Sequence, residues 1–304
     1  MGVITTAAIA KALYPGVRTW YGQKYAEYPE EWSEIFSRET SGRAWEEEVG
    51  LTGFGLYQQK NEGAGIAFDA MSQAFITRYN MIVWGLGFII TREMIEDNLY
   101  KEIALKRAGA LAFSARQTKE IIGANILNRG FTAGYVGGDG ATLFSNAHPN
   151  KSGGAAWSNT PATASDMSEA ALEQACIDIA NFKTDRGLKI AIKPQKIILP
   201  PDLEFDTIRV LQSTLQASTA NNALNAIKAS GKIPGGYRVN HYLTDVNQWT
   251  IITDCPEGLK YFERRKDDFE MENDFSTENI RMKSTFRGSF GWTDPRCAYS
   301  SPGA

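Results

Sequence analysis

Histidine is nearly absent from this sequence: 304 residues hold only His148 and His241. That excludes an H-E-x-x-H pair and any histidine-rich metal shell. Cysteine is almost as scarce. Cys176, Cys255 and Cys297 are odd in number and far apart, so they show neither a metal-ligand spacing nor a disulfide framework and point to a reducing cytoplasm. Long hydrophobic runs are missing too. The most apolar window, MIVWGLGFII at residues 81–90, is half a membrane span and is followed by Arg92 and Glu93. The N-terminus, MGVITTAAIAKALYPG, lacks a basic region, and Lys11 interrupts its short apolar run, which makes it a poor signal peptide. Met1-Gly2 with Thr6 fits the myristoylation pattern, but a pattern that short and permissive recurs by chance. There is no excess of positive charge either: 32 Lys+Arg against 35 Asp+Glu give a net charge of −3. A chain whose main work is wrapping nucleic acid needs a dense cationic face.

Phosphate-cradling loops are absent. In ASGKIPGG, Lys232 is followed by Ile233 and Pro234 where a helix N-terminus is needed. Gly63-Ala64-Gly65 and Gly138-Asp139-Gly140 lack the third glycine of a dinucleotide turn. What is present is ordinary for a folded chain: 43% hydrophobic and 22% charged residues, enough length for two or three compact units.

Residues 1–45 are crowded with aromatics, among them Tyr14, Trp20, Tyr21, Tyr25, Tyr28, Trp32, Phe36 and Trp45, and are cut by Pro15, Gly16, Gly22 and Pro29. Ala7 to Leu13 suits a short helix, with no long period after it. Aromatics of this kind suit subunit interfaces; packing onto the chain's own body is the equal alternative. In residues 46–90, Leu56 to Gln58 reads as extended. Ala64, Ile66 and Phe68 alternate with small residues, as do apolar positions from Phe75 to Val83. A polar tip, QQKNEG, lies between. The pattern predicts a long β-hairpin with a wet end, too thin to be stable alone.

Residues 91–163 begin with a long helix. Thr91 is a candidate N-cap, and Arg129-Gly130 suits its end. Leu99, Ile103, Ala110, Phe113 and Ile121 form a sparse apolar stripe, while Lys101, Lys106, Arg116 and Lys119 are expected to face water. At about 1.5 Å per residue such a helix is longer than a small domain is wide, a spine needing a sheet or partner along it. A looser Gly/Ser/Asn/Thr-rich stretch follows. Residues 164–254 predict a mixed α/β unit. DMSE is a capping signal, with Leu172, Cys176, Ile179 and Phe182 on one helical face. KIIL is a strand stopped by Pro200-Pro201, a helix places Leu203, Ile208, Leu211 and Leu215 inward, and two strands surround a turn at Asp245–Gln248. Residues 255–304 are strand-like with no local helix. They must pair with strands laid down far earlier.

The octapeptide LFSNAHPN brings Asp139, Ser145 and His148 close together in sequence. A serine hydrolase would want small residues beside its nucleophile, yet Phe144 and Asn146 flank Ser145. Triad geometry is seldom reached at such short separations. The favoured reading is a surface turn in which Asn146 and Asn150 bond their own backbone. No catalytic, cofactor-binding or metal-ligating residue is assigned.

The order of elements, with GFIITREMIEDNLY, DGATLFSNAHPN, PQKIILPPDLEFDTIRVL, VNQWTIITDCPEGLKYFERRKDDFE and FRGSFGWTDPR, resembles the major capsid proteins of tailed bacteriophages. Within them it looks most like the Mu-type major head subunit family. The resemblance implies an α+β, HK97-like capsid fold with an N-terminal arm (1–45), an extended loop (46–90), a peripheral domain with a spine helix (91–163 and 255–304) and an axial domain (164–254). It implies self-assembly as hexamers and pentamers into an icosahedral shell around double-stranded DNA, with no enzymatic activity and no cofactor. The implied partners are copies of itself, a portal protein, a separate scaffolding protein and possible cement proteins, without a membrane, in a virion assembled in the host bacterial cytoplasm. Trp20, Tyr21, Trp32, Tyr57, Gln59, Lys60 and Glu62 are the candidate contacts with neighbouring subunits. A nanocompartment shell of the encapsulin kind is the related alternative, and a cytosolic hydrolase using Ser145 and His148 the distant one.

Overall fold

The computed structural model describes residues 6–96, 100–215, 223–274 and 276–304, with the side chains of residues 6–15, 95–96 and 100–102 left aside. In chain order the elements are α1 (Thr6–Glu27), β1 (Ser37–Thr40), β2 (Trp45–Leu51), β3 (Gln73–Asn80), β4 (Ile82–Ile90), α2 (Arg92–Glu96) and α3 (Tyr100–Asn128). They continue with α4 (Glu169–Ala180), β5 (Pro194–Leu199), α5 (Glu204–Gln212), α6 (Ala226–Ser230), β6 (Tyr237–Val239), β7 (Trp249–Thr253), β8 (Leu259–Asn273), β9 (Ile280–Trp292) and β10 (Ala298–Ser301).

The spine unit is a long sheet, β1-β8-β9-β4, with α3 and α1 laid on one face. β8 and β9 are an antiparallel hairpin; β4 pairs antiparallel with β9, and β1 pairs parallel with β8. This meets the expectation that the tail pairs with strands from much earlier in the chain. β4 sends alternate side chains to its two faces, so Phe88 and Ile90 join the core beneath α3. Gly85 and Gly87 sit on the other face. A Cβ on Gly87 would stand 2.7 Å from the Met282 carbonyl oxygen, too close for any side chain.

Three expectations are corrected here. The segment from Thr6 to Glu27 is not irregular: α1 runs through Pro15, Gly16 and Gly22, because packing along α3 outweighs poor local propensity. The buried stripe of α3 is not the one its apolar residues suggested. Ala104, Ala108, Leu111, Ala112, Ala124 and Leu127 face inward, while Phe113 and Ile121 are exposed; Leu99 lies outside the described residues. Small alanines let α1 and the sheet approach closely. Arg116 and Lys119, expected to be wet, are buried on this same face with Glu120.

These buried charges are paired, as burial requires. Arg116 binds the Glu30 carboxylate and donates to the Tyr25 carbonyl at 3.1 Å. Lys119 lies 3.5 Å from Glu263, within 5.5 Å of the Trp32, Tyr261 and Phe286 rings. Arg38 also binds Glu263. The Glu120 carboxylate accepts the backbone N–H of Trp32 at 2.8 Å and of Glu31 at 3.2 Å. The N-terminal segment is therefore bolted to the spine by charge as well as by apolar contact.

The second unit is the sheet β10-β7-β5-β6, with β5 parallel to β6 and antiparallel to β7. The strands around Asp245–Gln248 are thus separated by β5 rather than paired. β10 joins this sheet, so the tail completes both units rather than the spine alone. α4 buries Leu172, Ile179 and, just past its end, Phe182, as expected. Its N-cap is Ser168, whose hydroxyl accepts the Ala171 N–H, rather than Asp166. On α5 the buried residue is Thr207, and Leu215 is exposed.

Candidate assembly surface

β2 and β3 form a two-stranded ribbon of their own, closed by Thr52 and Ser72: the Thr52 N–H donates to the Ser72 carbonyl at 3.0 Å. The hairpin is shorter than its sequence suggested. β4 belongs to the long sheet, and residues 53–71 carry no ladder although Leu56, Ile66 and Phe68 alternate with other residues. The far end is a turn, with the Ala64 N–H donating to the Asn61 carbonyl at 3.1 Å and Gly63 at φ +75°, where glycine is strongly favoured. Asp69 ties the neck: its carboxylate accepts from the Gly55 N–H at 2.8 Å and from Arg186 at 3.1 Å.

Strand alternation gives the ribbon two faces. Trp45, Glu47, Val49, Ile76 and Arg78 point outward, with the Arg78 guanidinium 4.4 Å from the Trp45 ring centre. Glu46, Glu48, Thr77 and Tyr79 point inward. Tyr79 is buried against Phe262 and shares a hydrogen bond with Thr293 Oγ1 at 2.7 Å. Glu48 accepts from Lys260 and from Thr293. Lys260 is 5% exposed, and its Nζ also reaches Glu257 at 2.5 Å and Glu39 at 3.3 Å. Burial opposes the Lys260 charge, but the hydrogen bonds to Glu257 and Glu48 outweigh it and hold the ammonium above the usual lysine range. Glycines make the seat: a Cβ on Gly138 would lie 2.5 Å from the Ile76 carbonyl oxygen, and one on Gly291 2.7 Å from the Tyr79 ring.

Of the residues singled out from sequence, Tyr57, Gln59, Lys60 and Glu62 are all exposed on residues 53–71, the finger that extends from the ribbon. Trp20 is partly exposed on α1, beneath the Lys24 ammonium. Tyr21 and Trp32 are corrected: they are 4% and 1% exposed, inside their own chain. Tyr21 stacks on Phe269 and hydrogen-bonds Asp267 at 2.5 Å and Ser284 at 2.7 Å. Trp32 packs edge-on against Tyr261 and Phe290. Sequence reasoning passed over Leu56, Ile66 and Phe68 as contacts, although they stand 79%, 69% and 96% exposed. The signal was there: large apolar side chains flanking a polar tip in a segment unable to bury them.

The octapeptide is not a triad, and it is a surface turn only at Asn146, Ala147 and Pro149, which are exposed. His148 is fully buried, its ring stacked on Trp157 at 4.6 Å, and the strand bridge His148–Trp157 pins it. Its Nδ1 meets Asp139 Oδ2 at 2.7 Å and its Nε2 meets Asn159 Oδ1 at 3.1 Å. Asn159 Nδ2 donates to the carbonyls of Leu143, Pro295 and Ala298 at 2.7, 3.0 and 3.1 Å. That fixes the amide orientation, so Oδ1 accepts and Nε2 carries a proton. Both imidazole nitrogens are engaged, and Ser145 is bonded to neither: its hydroxyl accepts the Ala147 N–H at 3.1 Å. Asn150 does cap its own turn, accepting from the Ser152 N–H at 3.1 Å. Among the described residues no cluster of His, Cys, Asp and Glu could hold a metal ion, and no helix is long and apolar enough to cross a membrane.

Comparison with known proteins addresses the fold. The model of the family described as phage capsid protein matches residues 76–301. The chain is similar to the capsid of cyanophage P-SCSP1u at 9% identity, with a TM-score of 0.54 over 90% of this chain and 87% of that one. It is similar to a subunit of the bacteriophage JBD30 procapsid at 17% identity, with a TM-score of 0.50 over 98% and 76%. It also resembles a virus-like particle from Pyrococcus furiosus at 10% identity, with a TM-score of 0.51 over 95% and 99%. No curated protein matches. At these identities the structural likeness shows the fold alone, which is HK97-like. The family match spans well over half the chain, so this chain belongs to the phage capsid protein family and is a structural protein of the virion.

Proposed function

We propose that this capsid protein is the major head subunit of a tailed phage of the Mu type, assembling as hexamers and pentamers into an icosahedral shell around double-stranded DNA. The observation that carries the reading is the finger. Leu56, Tyr57, Ile66 and Phe68 are each more than two-thirds exposed in the single chain, on the strandless segment beyond the β2–β3 ribbon. Burying such side chains is worth about 1.5–3 kcal/mol each, and a loop of this length without strands is uncommon in a compact domain unless it binds something. Laid across a neighbouring copy, it gains that burial. Gln59, Lys60 and Glu62 then form the polar rim of the contact, and Trp20 is a second contact on the arm.

In this reading the spine unit is the peripheral domain and residues 164–254 form the axial domain at capsomer centres. A separate scaffolding protein, a portal and cement proteins are its partners, and assembly takes place in the host bacterial cytoplasm. No catalysis is assigned, since His148 is committed to Asp139 and Asn159. Sedimentation and electron microscopy of the purified protein test the reading. The native chain should give closed megadalton particles, and the pair Leu56→Ser and Phe68→Ser should leave folded, unassembled subunits. Identical particles from the paired variant would refute it. Nucleic acid in particles from infected cells, rather than a protein cargo, separates a phage head from a nanocompartment.

A further inference from the structure

We propose that Lys260 is the positioning residue of the finger: its ammonium clamps the ribbon base to the long sheet and so sets the direction in which the finger reaches a neighbouring copy. This rests on the shell reading above. A two-stranded ribbon is at best marginally stable alone, so its direction must come from what its base touches. The inward side chains Glu46, Glu48, Thr77 and Tyr79 offer one large apolar ring among them. Tyr79 and the Gly138 seat hold β3, and the Asp69–Arg186 pair holds the neck, but β2 turns only Glu46 and Glu48 inward and has no apolar anchor of its own.

The second contact is polar. An ammonium has three donors, and Lys260 directs them at carboxylates from three separate segments: Glu39 on β1, Glu48 on β2 and Glu257 in the turn before β8. Thr293, just past β9, bonds both Glu48 and Tyr79 and so joins the two contacts. Lys260 itself is buried on β8, in the middle of the sheet, and cannot swing. Leverage makes this matter. From Glu48 to Glu62 an extended chain spans up to about 45 Å, so a 10° change at the base moves the tip by up to about 8 Å, more than the width of a side chain. The clamp does not strengthen the intersubunit contact; it delivers that contact to one place.

The test uses the full-length subunit, unassembled and under assembly conditions, as Lys260→Met, Lys260→Arg, Glu48→Gln and Thr293→Val. Amide hydrogen exchange is followed across residues 45–51 and 73–80, and particle size by electron microscopy. Lys260→Met and Glu48→Gln should speed exchange in the ribbon at least tenfold while β8, β9 and α3 stay protected. Their particles should be mis-sized or unclosed, and Lys260→Arg should restore both readouts. If Lys260→Met fails to fold, Glu48→Gln and Thr293→Val decide, since each leaves Lys260 with other partners. Native exchange and uniform particles in those variants would overturn the clamp while leaving the shell reading intact. Normal assembly of the Leu56→Ser, Phe68→Ser pair would instead overturn the shell reading, whatever the clamp does.

Discussion

Replacing Asn159 by leucine changes little in shape and removes the side-chain amide at a junction of the fold. The native amide accepts from the Ser145 N–H at 2.9 Å and from His148 Nε2 at 3.1 Å, and donates to three carbonyls from two distant parts of the chain. Asn159 and His148 are fully buried, so no water reaches the orphaned imidazole N–H, whereas Ser145 is half-buried and its N–H recovers part of the loss from solvent. A buried donor left unsatisfied costs about 1–3 kcal/mol, and two donors are orphaned. Carbonyls with a second lone pair suffer less, so the total is about 2–5 kcal/mol, against a typical domain stability of about 5–15. Urea denaturation of the unassembled subunit, followed by tryptophan fluorescence, reads the loss. Asn159→Asp should do at least as badly, because it turns an oxygen toward the three carbonyls. Ser145→Ala should cost less than about 1 kcal/mol, since that hydroxyl holds only the Ala147 N–H. A loss below about 1 kcal/mol for Asn159→Leu would refute the reasoning that this node, rather than the serine, holds the loop to the C-terminal strands.

Burial pushes the Glu120 carboxyl up to about 7 from an ordinary 4.5, against the pull of the Trp32 and Glu31 amides. The folded state therefore favours the protonated form. This contribution is full below the unfolded value and is lost as pH rises through about 7, up to about 3 kcal/mol. Denaturation midpoints from pH 5 to pH 8 should fall in the native chain and fall less in Glu120→Gln; parallel slopes would exclude Glu120 as the source. Lys119→Ala strips one cation from the buried Glu263 and should cost about 2–3 kcal/mol, whereas Lys119→Met with Glu263→Leu should cost far less; a double-mutant cycle with no coupling would contradict the pairing. Gly138→Ala drives a methyl into the Ile76 carbonyl and should cost about 1–3 kcal/mol. Gly42→Ala, with open space around it, should be neutral in the same urea denaturation, and equal effects would count against the glycine seat.

Much of the architecture was legible because it is written in local pattern. The α3 helix, the buried strand β5, the apolar face of α4 and the strand-rich tail follow from periodicity and punctuation. What escaped detection depends on partners far away in sequence. Arg116 and Lys119 read as a solvated face until Glu30 and Glu263 come to meet them, and nothing in the local pattern marked Glu120 as the acceptor of the Trp32 amide. The α1 helix is masked by Pro15 and two glycines because its stability lies in α3 rather than in its own residues. Tyr21 and Trp32 carried no mark to distinguish a core aromatic from an interface one. The finger tip was found, since an exposed polar turn needs no partner to be recognised. Its clamp was not, because Lys260, Glu48 and Glu39 meet only through the pairing of β1, β2 and β8 with the rest of the fold.

The pairing of β4 with β9 sets a delay during synthesis. β4 ends at residue 90, and the strand that covers its edge begins at residue 280. At about 5–20 residues per second on a ribosome, some 10–40 s pass in which MIVWGLGFII has emerged with nothing to bond to. Nascent chains on neighbouring ribosomes of one message then offer each other the same bare edge. Shielding that strand until translation ends is thus one condition for a good yield of usable subunits in a cell making many copies.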